Sequence, residues 1–490
     1  MRSLWFLLLT LLLLPFISSC ISDEDFPTPA GASFRLSVDT IDCDTVLSHT
    51  ASATRTFTLY NDKSDGLSIT NVTIEGDGAT QFLANIDGTA ISPGESGSMV
   101  NGLDCRGKDS LIAFVQFNAK TTNQDEAELS EARLVFTLAN GVRQSVLLRG
   151  YSQDAVILPS DIINTDTTLA ATRPYVIRDS LVVKAGATLT LSAGTTLLFY
   201  PHAGLRIEGT LKALGTLEQP ITFRGHRFDD MFKDQPYDRI DNQWQGITFT
   251  STSYDNHLDY CDIHSGNWGI RCDSSDVSRL KLTIENSVIH NVKQDALTLV
   301  STQAFIGNTQ ISNSEGKCVD ISGGDQQFIH CTIASFSPFS ATRGPALVFG
   351  NMIGDQPCAL QRLDIINSIV TGYATDEIYG SRATDETIPF NYTFHNSLLC
   401  TPEITDEDSD GSVINNIWED PKDTLARQAN FVPFDTKKLI YTFQLAPTSK
   451  ARGLADSAIT QLYYPLDRLG RKREPESDAG CYQSVVTEDP

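Results

Sequence analysis

The chain has 490 residues, with 37 basic and 61 acidic side chains, which gives a formal net charge of −24. A chain this acidic repels phosphate backbones, so nucleic acid is not an expected partner. The length allows roughly three domains of about 150 residues each.

The N-terminus has the features of a bacterial lipoprotein signal. Arg2 precedes an apolar run over 4–17, which is typical of a secretory signal peptide and too short for a membrane span. The run ends in "ISSC", which resembles a lipobox because small residues come directly before a cysteine. That resemblance implies removal of a signal peptide at 1–19 and acylation of Cys20, whose acyl chains would make the membrane a partner. An ordinary signal peptide that happens to contain a cysteine is the alternative.

Residues 20–32 predict an acidic, proline-containing tether, because they have little apolar surface to bury. Within the tether, Asp23, Glu24 and Asp25 resemble the signal that directs lipoproteins to the cell surface in the Bacteroidetes. We therefore expect a protein that is lipid-anchored in the outer membrane and exposed at the cell surface. A solvated spacer would also account for the three acids.

Residues 33–152 predict a β-sandwich. Short alternating runs rich in β-formers, such as "TRTFTLYN" and "EARLVFTLAN", are separated by turn residues such as Asn140 and Gly141. Several strands at this spacing are typical of Ig-like folds. Cys43 and Cys105 share this domain and a polar sequence setting, so a disulfide between them is a candidate. Closing so long a loop would stabilise the exported protein by roughly 4 kcal/mol.

Residues 155–400 predict a β-solenoid. Strands of three to five residues, punctuated by glycine and asparagine, cannot bury a core alone, whereas stacked coils can. Ile289, Ile311 and Ile333 recur at intervals of 22 residues, which fits one turn of three short strands. Each isoleucine would then stack about 4.8 Å above the last. Residues 401–490 predict the C-terminal coils and a cap, with a terminal strand closing the solenoid.

The same segments resemble the β-helix lipoproteins of the Bacteroidetes. The resemblance covers most of the chain and includes "CDTVLSHTASATRTFTLYN", "RPYVIRDSLVVKAGATLTLSAGTTLLFY", "NQWQGITF" and the closing "DRLGRKREPESDAGCYQ". It implies an all-β protein in which an Ig-like N-terminal sandwich precedes a right-handed parallel β-helix. It implies no catalytic set, because the group carries none that is agreed.

A charged insertion at 225–243 interrupts the repeat and is the strongest candidate for a ligand site. Aromatic rings beside carboxylates suit sugar binding, since a ring can stack on a pyranose face. A solvated loop over a core tryptophan is the alternative. The candidate ligand-binding residues are Asp229, Asp230, Asp234, Trp244, His264 and Trp268.

His264 and His290 follow Ile263 and Ile289 at equivalent positions of successive repeats, so the two imidazoles could stack. Metal binding is one interpretation of such a pair. Two polar corner residues are the interpretation we favour, and no metal site is predicted.

The expected function is a carbohydrate-binding, surface-binding or structural module of the cell envelope, with a glycan as the second expected partner. The alternative is a polysaccharide lyase or glycoside hydrolase acting on an acidic polysaccharide, which is an analogy from fold alone. A lyase would need carboxylates for Ca²⁺ and a basic residue, and a hydrolase would need two placed carboxylates. Asp259, Asp262 and Asp273 share no clear stacked column. We therefore predict no catalytic residues and no cofactor. Ca²⁺ is expected as a cofactor only under the lyase alternative.

Overall fold

The computed structural model describes residues 26–91, 103–158, 161–338, 342–405 and 412–485. These residues lie almost entirely in strands and turns, and the chain divides after Gln153 into two compact units. Within the described ranges, no helix is long and apolar enough to cross a membrane. The predicted signal peptide, Cys20 and the acidic triplet after it lie outside the described residues.

The described residues of the first unit contain ten strands. They are β1 (Arg35–Leu36), β2 (Thr40–Leu47), β3 (Arg55–Tyr60), β4 (Leu67–Glu75), β5 (Phe82–Ile86), β6 (Thr89–Ile91), β7 (Leu103–Cys105), β8 (Ser110–Phe117), β9 (Glu128–Leu138) and β10 (Arg143–Gln153), with a short 3₁₀ helix at Ala79–Gln81. They make two five-stranded sheets, in the orders β1-β3-β8-β5-β6 and β2-β10-β9-β4-β7. Alternate residues of both sheets, such as Leu59 and Leu134, are buried in one shared apolar core. The two sheets therefore pack as a sandwich.

The predicted disulfide between Cys43 and Cys105 is wrong. Both are buried free cysteines, and they lie on β2 and β7, the opposite edges of the same five-stranded sheet. Four strand spacings of about 4.8 Å separate these edges by roughly 19 Å. A disulfide needs Cα atoms within about 7 Å of each other. Burial instead raises the pKa of each thiol to about 11, which leaves both thiols protonated at neutral pH.

The second unit is built from short strands with few helical turns. Its strands are β11 (Val156–Ile157), β12 (Ile162–Ile163), β13 (Thr167–Leu169), β14 (Tyr175–Ile177), β15 (Leu181–Val183), β16 (Thr188–Leu191), β17 (Thr196–Phe199), β18 (Leu205–Ile207), β19 (Thr210–Leu214), β20 (Ile221–Gly225), β21 (Asp230–Phe232), β22 (Gln235–Pro236), β23 (Ile247–Phe249), β24 (Asn256–Asp259), β25 (Cys261–His264), β26 (Ile270–Cys272), β27 (Leu280–Glu285), β28 (Val288–Val292), β29 (Leu297–Gly307), β30 (Gln310–Ser314), β31 (Val319–Ile329), β32 (Thr332–Ser335), β33 (Leu347–Gly350), β34 (Met352–Ile353), β35 (Gln356–Pro357), β36 (Leu360–Ile366), β37 (Ile369–Gly372), β38 (Ile378–Ser381), β39 (Thr393–His395), β40 (Leu398–Leu399), β41 (Val413–Ile414) and β42 (Ile417–Trp418). Its helices are a 3₁₀ turn at Tyr237–Arg239, α1 (Thr424–Gln428) and α2 (Ser457–Tyr463).

Most of these strands belong to two long sheets of 11 and 17 strands. Neighbouring strands in these two sheets are parallel, as a parallel β-helix requires. Among the described strands of this unit, the antiparallel pairs are the hairpins β21–β22 and β34–β35. In the 11-stranded sheet, Ile263 pairs with Ile289, Ile289 with Ile311 and Ile311 with Ile333. All four side chains are fully buried in one core. The predicted isoleucine stack is thereby confirmed.

Polar residues form ladders at the corners of the coils. Asn286 and Asn308 occupy the left-handed region, with φ of 49° and 50°, a conformation that asparagine tolerates better than most residues. The amide of Asn308 donates to Oδ1 of Asn286 over 2.7 Å. On the next residue, the backbone N–H of Ser287 donates to the hydroxyl of Thr309 one coil above. The ladders satisfy backbone groups where the strands end.

The C-terminal segment, residues 431–485, packs on the outer face of the 11-stranded sheet. Phe431, Phe443 and other apolar side chains of the segment share a core with Ile369 and Leu398, which point out of the solenoid. Further along the same face, the hydroxyl of Tyr482 donates to Gln310 over 2.7 Å. The described residues contain no strand after Trp418, so the predicted closing strand is wrong. The segment instead buries this apolar outer face of the sheet.

Candidate functional site

A cavity of about 280 Å³ lies on the outer face of the 11-stranded sheet. Strands β25, β28 and β30 form its floor, because their residues alternate between the buried core and this face. The 3₁₀ turn of the insertion and the C-terminal segment form its walls. The polar lining includes Arg239, Asp262, His290, Gln310, Asn313 and Arg468, with Tyr441 and Tyr482 supplying aromatic surface.

A chain of charged side chains lies at the edge of this cavity. Oδ1 of Asp262 is 2.8 Å from Nδ1 of His264 and 3.1 Å from Nε2 of His290. The other ring nitrogen of His264, Nε2, is 2.7 Å from Oδ1 of Asp238, which also pairs with Nε of Arg224 at 2.9 Å. The five side chains therefore alternate in sign from Arg224 to His290 if the imidazoles are protonated.

Local geometry explains why these groups meet. Asp262 and His264 are two residues apart on β25, so both point to the same face of the sheet. His290 pairs in register with His264 on the next coil. The insertion then folds back over this face and brings Asp238 onto His264.

The electrostatics of the cluster favour a proton on His264. Burial alone would lower the pKa of this imidazole, but the carboxylates of Asp262 and Asp238 raise it to about 9. Desolvation would raise the pKa of Asp262, yet the neighbouring imidazoles hold it well below its ordinary value. Without a bound cation, the cluster therefore contains an imidazolium held between two carboxylates.

Two buried polar atoms beside the cavity lack hydrogen-bond partners among the described residues. They are Oδ1 of Asn313, an acceptor, and Nε of Arg468, a donor. The side chain of Asn313 is almost fully buried. Unpaired buried groups are rare in folded proteins, and each calls for an explanation such as a bound molecule. Both atoms are closed to solvent, so a ligand in the cavity would reach them only after a side-chain movement.

The acids predicted from the insertion contribute less than expected. Asp229 pairs with an arginine two residues away at 2.5 Å, Asp230 lies on the hairpin strand β21, and Asp234 is exposed at the hairpin turn. Asp238 and Arg239 are instead the residues of the insertion that reach the histidine cluster and the cavity. The sequence showed a dense run of acids in the insertion, but nothing in it distinguished Asp238 from the other four.

The two predicted tryptophans differ in their environment. Trp244 is 1% exposed and stacks on Phe199 inside the solenoid, with ring centroids 4.2 Å apart. It therefore offers no surface for a sugar, and its prediction as a stacking residue is wrong. Trp268 is half-buried, with the guanidinium of Arg271 4.0 Å from its ring centroid. Among the predicted residues, only His264 belongs to the cluster described above.

Comparisons with known proteins establish no family. No protein-family model matches the chain. Protein bark beetle of Drosophila melanogaster is 33% identical over 104 residues, which are 21% of this chain and only 3% of that relative's length. The solved catalytic domain of Agl-KA is 10% identical with a TM-score of 0.31, over 74% of this chain and 76% of that one. The catalytic domain of a GH87 alpha-1,3-glucanase in complex with nigerose is 9% identical with a TM-score of 0.15, over 76% and 88%. Neither score is high enough to support an inference about this chain.

Proposed function

We propose that the protein is a cell-envelope lipoprotein, anchored in the outer membrane through Cys20 and exposed at the cell surface, whose solenoid binds carbohydrate. The Ig-like character of the sandwich and the right-handed turn of the solenoid belong to the same proposal. The binding site is the cavity on the outer face of the 11-stranded sheet. The observation that carries the proposal is the lining of this cavity, which combines the guanidinium groups of Arg239 and Arg468 with the amide of Asn313 and the aromatic ring of Tyr441.

The chemistry of the cavity suits a sugar. A hydroxyl group can donate one hydrogen bond and accept others, so sugar hydroxyls can pair with the amide, hydroxyl and guanidinium groups of the lining. The volume of about 280 Å³ is near the lower end for small-molecule sites and suits one sugar residue or the end of a chain. The guanidinium groups of Arg239 and Arg468 face this space in a strongly acidic protein. They favour a sugar that carries a carboxylate, because guanidinium binds carboxylate with two parallel hydrogen bonds.

A glycan array that includes uronic-acid oligosaccharides, probed with the full-length protein in detergent, tests this function. For each glycan bound, affinity is then compared between Asn313→Gly and Asn396→Gly. Both asparagines have positive φ, 53° and 49°, and both have a buried unpaired Oδ1, but Asn396 does not line the cavity. Glycine tolerates that backbone conformation, and Asn396→Gly additionally removes the hydrogen bond that this amide donates to the carbonyl of Leu454.

We expect Asn313→Gly to weaken glycan binding about tenfold, because one hydrogen bond contributes about 1 kcal/mol or slightly more. Asn396→Gly should leave the affinity within about twofold of wild type. An array without any bound glycan, or equal losses in both variants, would contradict the proposal.

The enzyme alternative has one observation in its favour. Asp262 and His290 both line the cavity, and Oδ1 of Asp262 lies 3.1 Å from Nε2 of His290. Such a carboxylate–imidazole pair can transfer a proton to or from a bound substrate. Incubating the protein with the polymer that it binds separates the two functions. New reducing ends or unsaturated uronate products would show an enzyme, and unchanged polymer would show a binding module.

A further inference from the structure

We propose that Asp262, His264 and His290 form a binding site for a divalent transition-metal ion, and that zinc is the ion they fit best. The three residues supply a carboxylate and two imidazoles, whose nearest ligand atoms all lie within 4.8 Å of one another. This inference is independent of the identity of any carbohydrate bound in the cavity.

The distances between the ligand atoms support a shared ion. Nδ1 of His264 and Nε2 of His290 lie 2.8 Å and 3.1 Å from the same oxygen of Asp262. Zinc bonds to nitrogen and oxygen of about 2.0–2.1 Å in tetrahedral geometry put neighbouring ligand atoms about 3.3 Å apart. Small rotations of the side chains would therefore bring all three atoms onto one ion, without movement of the strands.

The surroundings of His264 resemble those of a metal-bound histidine. Its second nitrogen, Nε2, is 2.7 Å from the carboxylate of Asp238, which Arg224 holds in turn at 2.9 Å. Histidines that bind a metal usually donate their other N–H to a carboxylate or a carbonyl, which fixes the ring and makes it a better ligand. Asp238 is thus placed to orient His264 toward the ion.

The ligand set limits the identity of the ion. Ca²⁺ prefers six to eight oxygen ligands, so two imidazoles disfavour it. Imidazole with carboxylate suits zinc and other transition metals. Because Asp262 and His290 line the cavity, a remaining coordination position would face it, as in zinc sites that keep one position open.

The test uses full-length protein in detergent, stripped with EDTA, dialysed and kept at pH 8 to limit competition from protons. Zinc chloride is titrated into it by calorimetry, and the absorption spectrum of the cobalt(II) form reports the ligand type. The main variant is His290→Ala, because this partly exposed side chain lines the cavity and supplies one of the three ligand atoms. The matched control is His257→Ala, since His257 also contacts a carboxylate, Glu285, at 3.0 Å but lies outside the cluster.

We expect one equivalent of zinc to bind and to raise the Tm of the wild-type protein. His290→Ala should weaken binding by at least tenfold, Asp238→Asn by about 10- to 100-fold as for other orienting carboxylates, and His257→Ala by less than twofold. The absence of stoichiometric zinc binding to the wild type would overturn the proposal. Full zinc affinity in His290→Ala would also overturn it. A thiolate charge-transfer band in the spectrum of the cobalt(II) wild-type protein would do the same, and this measurement requires no variant.

Discussion

The imidazole rings of His264 and His290 lie 5.0 Å apart on adjacent coils, in strands whose register pairs the two residues directly. The same register places Ile263 beneath Ile289 on the opposite face of the sheet. One repeat interval therefore determines both the core and the site. Burying the isoleucines inside the solenoid brings the two histidines together outside it, where both contact Asp262.

The isoleucine stack predicts a large loss of stability for Ile311→Asp. This side chain is fully buried among apolar neighbours, so a carboxylate there would have no charged partner or solvent. The expected cost is several kcal/mol, measured as the free energy of unfolding in urea. Leu280→Asp is the control, because Leu280 is 39% exposed on β27. Nearly equal stability of the two variants would count against the register.

Glu419 predicts a pH dependence of stability. Burial raises the pKa of this carboxyl to about 7, although Thr371 and Asn430 donate hydrogen bonds to it. Because the folded state holds the proton more tightly than the unfolded state, this group's contribution is complete below about pH 4.5 and is lost as pH rises through about 7. The loss should reach about 3 kcal/mol by pH 8.

The variant Glu419→Gln should remove the share of the dependence that this group contributes, since the amide resembles the protonated acid and can keep both partners. Urea unfolding at pH 5 and pH 8 measures the difference. The exposed Glu386→Gln serves as the control and should follow the wild type. A Glu419→Gln variant that loses as much stability between these pH values as the wild type would refute the assignment.

The separation of Cys43 and Cys105 predicts two reactive thiols in the unfolded protein. A maleimide added in denaturant without reductant should label both residues, and dithiothreitol should leave the Tm of the untreated protein unchanged. Mass spectrometry of peptides gives the result for each cysteine. Recovery of a disulfide-linked peptide that joins the two would show that the sheet order is wrong.

The lipobox resemblance predicts that acylation depends on Cys20. Cys20→Ser should abolish lipid labelling and release the protein from the membrane fraction. Cys358→Ser is a suitable control, because this cysteine lies within the solenoid unit and should leave labelling unchanged. If Cys20→Ser were labelled with lipid and retained in the membrane fraction as the wild type is, the lipoprotein assignment would be excluded.

Periodicity in the sequence predicted the parts of the solenoid that repeat. The interval of 22 residues aligned Ile289, Ile311 and Ile333, and the same alignment placed His264 beside His290. Each of these contacts joins equivalent positions of neighbouring coils, so a local pattern is enough to find it.

Contacts that do not repeat could not be predicted from the sequence. Tyr482 reaches Gln310 across 172 residues, and Asp238 reaches His264 by a fold of an irregular insertion. These contacts depend on how non-repeating segments pack on the outer face, which no spacing reports. The disulfide prediction was wrong for the same reason, because strand order within a sheet does not follow from the alternation of residues along each strand.

The central claim is that the cavity on the outer face of the 11-stranded sheet is the ligand site. A crystal structure of the full-length protein with the glycan that binds most tightly on the array tests it most directly. We predict a sugar residue within hydrogen-bond distance of Oδ1 of Asn313 and Nε of Arg468. Well-defined glycan density elsewhere, with both atoms still unpaired, would contradict the claim.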